Sequence, residues 1–196
     1  MKVGLFFGSF NPIHMGHLII AQSILNETDL HQVWLVVSPH NPFKKKETLL
    51  GEYDRLYMCE LATAANHRIK PSNVEFKLPQ PNYTIDTLTH LAARYPSYEF
   101  SLLMGADNLA TLHKWKNYQA IINHYKVYVY PRLHPDAKNP PDAAVAASAN
   151  IVPVQAPIVE LSATRIRELI KQKKSVQHLV PDAVFAYIEK QNLYAD

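Results

Sequence analysis

Short apolar runs alternate with amphipathic stretches along this chain. Residues 3–7, 33–37, 100–104 and 127–130 read as strands, because each is an apolar run too short for a helix. Between them, residues 16–26, 52–66, 85–95 and 108–124 carry apolar side chains at helical spacing, the last with an expected break near Trp115. Strands alternating with helices predict an α/β fold, a parallel sheet covered on both faces. Right-handed crossovers make the sheet doubly wound, and its strand ends then converge on one crevice. A weaker run, 73–78, is expected to add an irregular or edge strand.

The texture changes over residues 131–157, which hold six of the fourteen prolines beside an Ala-rich stretch at 143–149. This segment is expected to be a surface excursion with little regular structure. It is not expected to be a linker, because a clear helix follows and needs the same core. That helix starts at Ser162 or Thr164 and runs through Lys171; a last one spans 181–191 and opens on Pro181. No internal repeat is visible.

With 196 residues, 47% of them hydrophobic, the chain is expected to form one domain, 1–196, with a full core. The formal charge is +3, and only Lys44, Lys45 and Lys46 form a basic run. No nucleic-acid partner is therefore expected, and a small anionic ligand fits better. Cys59 is the only cysteine, so no intramolecular disulfide can form. No run of about 18 apolar residues occurs, and the apolar start is too short for a signal peptide. A soluble, cytoplasmic protein with no membrane partner is expected; the oligomeric state stays open, a homo-oligomer included.

The five glycines spell neither a dinucleotide-binding Gly-x-Gly-x-x-Gly nor a Walker loop, so hydride-transfer and P-loop readings lose their warrant. Phosphate must be held otherwise. Gly8-Ser-Phe-Asn-Pro-Ile-His-Met-Gly-His17 joins the first strand to the first helix, where an α/β protein presents unpaired N–H groups to an anion. His14 and His17 could satisfy local backbone groups there, or share a metal, although no third and fourth ligand cluster nearby. Alternatively they flank a phosphate. At the other end, Leu161-Ser-Ala-Thr-Arg-Ile-Arg167 opens a helix with two hydroxyls and two guanidiniums. Ser162 or Thr164 could simply cap that helix. A cap does not explain Arg167 beside them, and hydroxyls, amides and an Arg fork together suit a polyphosphate.

The first of these segments resembles the His-x-Gly-His signature of the nucleotidylyltransferase superfamily, and the second its Ile-Ser-Ser-Thr-x-Ile-Arg signature. Between them, Asn82-Tyr-Thr-Ile-Asp-Thr-Leu88 and Gly105-Ala-Asp-Asn-Leu-Ala-Thr-Leu-His-Lys-Trp115 are similar to internal motifs of the bacterial nicotinate mononucleotide adenylyltransferase family. The resemblance runs from Val3 to about Leu169. It implies a Rossmann-like sheet with C-terminal helices, and transfer of an adenylyl group from ATP, with Mg²⁺, to nicotinate mononucleotide. The relatives that use nicotinamide mononucleotide or phosphopantetheine, and a non-catalytic nucleotide-binding module, are the alternatives.

By that resemblance, His14 and His17 contact ATP phosphates and stabilise the transition state, beside Gly8, Ser9 and Phe10. Ser162, Thr164 and Arg167 match the group that binds the β and γ phosphates. Gly105 and Asp107 match residues at the adenosine ribose, Arg132 is expected to border the adenine, and Lys44 falls where the family has a basic loop residue. Trp115 would stack on the nicotinate ring, with Thr84 and Ile85 beside its carboxylate. No residue is expected to ligate a metal, so Mg²⁺ would arrive with ATP. Asp86 is expected to favour a helix dipole, and Asp107 could serve as a cap. Cys59 is expected to be packing material. The chain departs from the pattern at Phe7-Gly-Ser-Phe-Asn-Pro12, where the family often has Gly-Gly-Thr-Phe-Asp-Pro, and in the loop around Lys44. It also has Trp115-Lys116 where the family has Trp-Tyr.

Overall fold

Six parallel strands form the centre of the molecule, in the order β3-β2-β1-β4-β5-β6. The computed structural model describes residues 1–39, 49–132 and 141–195. β1 (Lys2–Gly8) lies between β2 (Gln32–Val37) and β4 (Glu99–Gly105), with Leu5 opposite Trp34 on one side and Leu102 on the other. The sheet grows outward from β1 through β2 to β3 (Ile69–Ser72), then from β4 through β5 (Val127–Tyr130) to β6 (Ile151–Pro153). The order reverses between β1 and β4. Gly8 and Gly105 end these two strands side by side, which places the crevice of a doubly wound sheet between them.

Side chains alternate along the strands, so each feeds both faces. On one face Phe6, Leu35, Val37 and Leu103 pack against α1 (Met15–Glu27), α2 (Glu52–Thr63), α7 (Ala163–Lys171) and α8 (Asp182–Gln191). On the other, Leu5, Val36, Leu102 and Met104 meet Leu88 and Leu91 of α3 (Thr84–Arg94) and Ile121 and Ile122 of α5 (Tyr118–His124). Each such side chain contributes about 1.5–3 kcal/mol on burial. Cys59 belongs to the first core, and burial pushes its thiol far up.

Two expectations need correction. Residues 73–78 form a turn of 3₁₀ helix at Val74–Lys77, closed by the Phe76 N–H donating to the Asn73 carbonyl, rather than a strand. The edge is taken instead by β3, immediately before it, whose sequence Ile-Lys-Pro-Ser has one apolar residue and a proline tolerated only at an edge. Likewise, 131–157, expected to be a surface excursion with little regular structure, contributes a strand to the sheet. It contains α6 (Ala143–Ala147) and β6, the opposite edge of the sheet, whose three residues end in proline. Edge strands bury little and so leave little apolar signal.

The segment after β4 breaks around Trp115, as expected, and earlier too. It is α4 (Ala106–Leu109), a 3₁₀ turn at Leu112–Lys114, then α5, which starts after Asn117 at a φ of 49°. Among the described residues no helix is long and apolar enough to cross a membrane.

Candidate active site

The turn after β1 is built around Phe10. Its φ of 45° lies in the left-handed region, a cost of about 1–3 kcal/mol for a residue with a side chain. The ring offsets this by burying itself beneath the turn, 2% exposed, edge-on to Phe6 and to the His17 imidazole at 4.9 Å between centroids. Gly8 must lack a side chain, because a Cβ there would lie 2.8 Å from the Phe10 ring. Phe10 thus shapes the site from below, with its ring in the core.

His14 and His17 stack, with ring centroids 3.7 Å apart and planes 24° from parallel. The backbone N–H of His14, the cap of α1, donates to His17 Nδ1 at 3.3 Å. Nδ1 therefore holds a lone pair, and the neutral ring carries its proton on Nε2. His14 is 4% exposed, and burial, helped by the positive charge of Arg132, pulls its pKa down to about 4. At neutral pH the His14 imidazole is therefore uncharged, and among the described residues Arg132 and Arg167 bring fixed positive charge to the site.

Arg167, on the first turns of α7, donates to the Asn11 carbonyl at 2.7 Å and to Thr164 Oγ1 at 3.3 Å. Ser162 caps α7 by accepting from the Arg165 N–H at 3.2 Å, so the capping role holds for Ser162 and not for Thr164. Arg165 itself is exposed and pairs with Glu168. Across the crevice, Arg132 lies 3.6 Å from the Asp107 carboxylate and 5.4 Å over the Tyr130 ring. Gly105, rather than Asp107, caps α4, and a Cβ on it would meet Arg132 Nε at 3.0 Å.

A cavity of about 470 Å³ lies between these segments, with Gly105 and Arg165 not among the residues that line it. Gly8, Ser9, Phe10, His14 and His17 line it from the first motif, and Ser162, Thr164 and Arg167 from the last. Asp107, Arg132 and Trp115 line it as well. A second cavity, of about 170 Å³, shares the Gly8-Ser9 turn and Trp115 with the first. Thr84 and Lys116 border it, and its floor is Glu75, a buried carboxyl that accepts from Thr87 Oγ1 at 2.8 Å and that burial pushes up. The Ile85 side chain is 7% exposed and belongs to the core, and Ile85 is not among the residues that line this cavity. Asp86 sits in the first turn of α3, as expected, and pairs with Lys116 at 2.8 Å. Lys44 lies outside the described residues.

Three residues that hold the turn escape a reading of the sequence for chemistry. Arg55 is fully buried, and its guanidinium donates to the carbonyls of Leu50, Ser9, Ser38 and Pro39 at 2.6 to 3.2 Å. It ties the turn after β1 to the end of β2. Its one signal is position: it falls on the same helical face as Met58, Cys59 and Ala62, where an apolar residue is the rule. Asn11 Oδ1 accepts from the Leu50 N–H at 3.3 Å and from the Tyr194 hydroxyl at 2.8 Å. Nothing local marks Tyr194, which follows the last helix.

Residues 5–169 match the model of a family described as cytidylyltransferase-like. A Flavobacterium psychrophilum protein named probable nicotinate-nucleotide adenylyltransferase is 56% identical over 194 residues, 99% of each chain. A Cytophaga hutchinsonii protein of the same name is 48% identical over 196 residues, the whole of both chains. Among solved structures, a Plasmodium falciparum nicotinic acid mononucleotide adenylyltransferase complexed with NaAD superposes with a TM-score of 0.79. It is 18% identical, with 98% of this chain and 97% of that one covered, a likeness of fold. The chain belongs to the cytidylyltransferase-like family and, within it, to the nicotinate-nucleotide adenylyltransferases.

Proposed function

We propose that this protein transfers the adenylyl group of ATP to nicotinate mononucleotide, giving nicotinic acid adenine dinucleotide and pyrophosphate, a cytoplasmic step of NAD biosynthesis. The observation that carries the reading is the pair of cavities meeting at Gly8-Ser9: one bordered by His14, His17, Arg132 and Arg167, the other by Trp115 and Thr84. A polyphosphate suits the first and an aromatic mononucleotide the second, so the shared wall is where their phosphates meet.

In this reaction an oxygen of the mononucleotide's 5′-phosphate attacks the α-phosphorus of ATP. The bond from that phosphorus to the bridging oxygen breaks, and pyrophosphate leaves with the electron pair. The protein supplies no nucleophile; its task is alignment and charge stabilisation. His17 donates from Nε2 to the α-phosphate oxygens as charge builds, and His14, neutral when the site is empty, gains charge as an anion enters beside it. Arg167, with Ser162 and Thr164, holds the departing pyrophosphate, while Gly105, Asp107 and Arg132 border the adenosine.

Among the described residues no group of three or more His, Cys, Asp or Glu converges as a metal-binding set. Mg²⁺ enters this reading as part of the substrate, bound to the phosphate oxygens of ATP. A pyrophosphate-release assay with ATP and Mg²⁺ tests the proposal, with nicotinate mononucleotide, nicotinamide mononucleotide and phosphopantetheine offered in parallel. Release with the first acceptor is expected. Release only with another acceptor would reassign the substrate, and none at all would leave a nucleotide-binding module.

A further inference from the structure

The acid and amide mononucleotides have nearly the same shape, so the outline of the acceptor cavity separates them poorly. They differ in charge. Two lysines, Lys114 and Lys116, border this cavity, and of the two Lys116 is held in place. Its Nζ lies 2.8 and 3.2 Å from the two Asp86 oxygens and 4.7 Å above the centre of the Tyr83 ring. Tyr83 caps α3 and Asp86 is its third residue, so the ammonium is parked against the first turn of that helix, beside Thr84. It has three N–H donors, and Asp86 can engage at most two.

We propose that Lys116 is a specificity-determining residue: its ammonium, held by Asp86 and Tyr83, pairs with the carboxylate of the pyridine mononucleotide and selects the acid over the amide. This rests on the reading of the reaction given above. Among the described residues, the other charged or titratable groups at this cavity, besides Tyr83, are Lys114, which adds to the attraction, and Glu75, buried in the floor and raised toward its neutral form. Asp86 opposes the substrate's charge. Its side chain is 52% exposed, however, so solvent weakens its hold on the ammonium and lets a carboxylate share it. An amide offers no such charge-assisted bond and leaves the Lys116–Asp86 pair as it is.

The test measures kcat/KM for both mononucleotides in the wild type and in the Lys116→Gln and Lys116→Arg variants, with Tm as a check on folding. Lys116→Gln is expected to lower the acid-to-amide ratio about tenfold, through a raised KM for the acid, because one charge-assisted bond is lost. Lys116→Arg keeps the charge and is expected to keep most of the preference. An unchanged ratio in Lys116→Gln overturns the proposal, even if both activities fall together. A wild type that turns over neither acceptor would defeat the underlying reaction instead, so the two failures are distinguishable.

Discussion

The Tyr194 hydroxyl donates to Asn11 Oδ1 across 2.8 Å, joining residues 183 apart in sequence. Tyr194 is thereby part of the wall behind the turn after β1, although its chain segment follows the last helix. Because Asn11 Oδ1 also accepts from Leu50, Tyr194→Phe leaves no orphaned acceptor and should cost about 1 kcal/mol of stability. A loosened turn should raise KM for ATP about two- to tenfold, the same energy expressed in binding. Steady-state kinetics with each substrate varied in turn would check it. A lowered Tm with an unchanged KM for ATP would make the contact structural only.

His17→Ala should lower kcat by about 10² to 10³ while leaving the fold intact, the cost of removing one preorganised donor to the transition state. The prediction follows from the tautomer. With Nδ1 accepting from the His14 N–H, the proton sits on Nε2, on a ring that lines the larger cavity. Circular dichroism with single-turnover kinetics would test this, and an unchanged kcat in the folded variant would remove His17 from the mechanism.

Burial lowers the His14 pKa from 6.5 to about 4, which makes stability depend on pH. Below pH 6.5 the unfolded chain takes up a proton that the folded chain refuses until about pH 4. This contribution is therefore fully present above pH 6.5 and is lost as pH falls through that window, by at most about 3 kcal/mol. Urea unfolding at pH 7.5 and 4.5 should show a smaller loss for His14→Gln than for the wild type. Equal losses would mean that His14 is not the group responsible.

Trp115 touches both cavities. Even so, its indole is expected to serve the pyridine ring, and Trp115→Ala should raise KM for the mononucleotide more than for ATP. Base stacking is worth about 1–3 kcal/mol, so a rise of about five- to 150-fold is the expected scale. Equal effects on both substrates would assign the tryptophan to packing.

The core strands and the two end motifs were legible because their physical signals are local. Buried parallel strands read as apolar runs, and the β1 turn shows its glycines and histidines in ten consecutive residues. The edge strands β3 and β6 were not legible, because a strand paired on one side needs few apolar residues and tolerates Pro71 and Pro153. Phe10 and Ile85 were assigned to the site from motif position. Backbone geometry turned both side chains into the core; Phe10 still lines the larger cavity, whereas beside the smaller one it is Thr84 and not Ile85 that lines the wall.

The sequence by itself determined the doubly wound α/β plan, the order of its central strands along the chain and the family, because hydrophobic periodicity and contiguous motifs act over short separations. Only the tertiary structure decided which polar groups meet. Arg55 on the carbonyls of Ser9 and Ser38, Arg167 on Asn11, Tyr194 on the same asparagine and Lys116 on Asp86 are all contacts between distant segments. The same holds for the charge of His14. An imidazole's pKa is set by what buries it, and the walls around this one come from the far end of the chain as well as from its own helix.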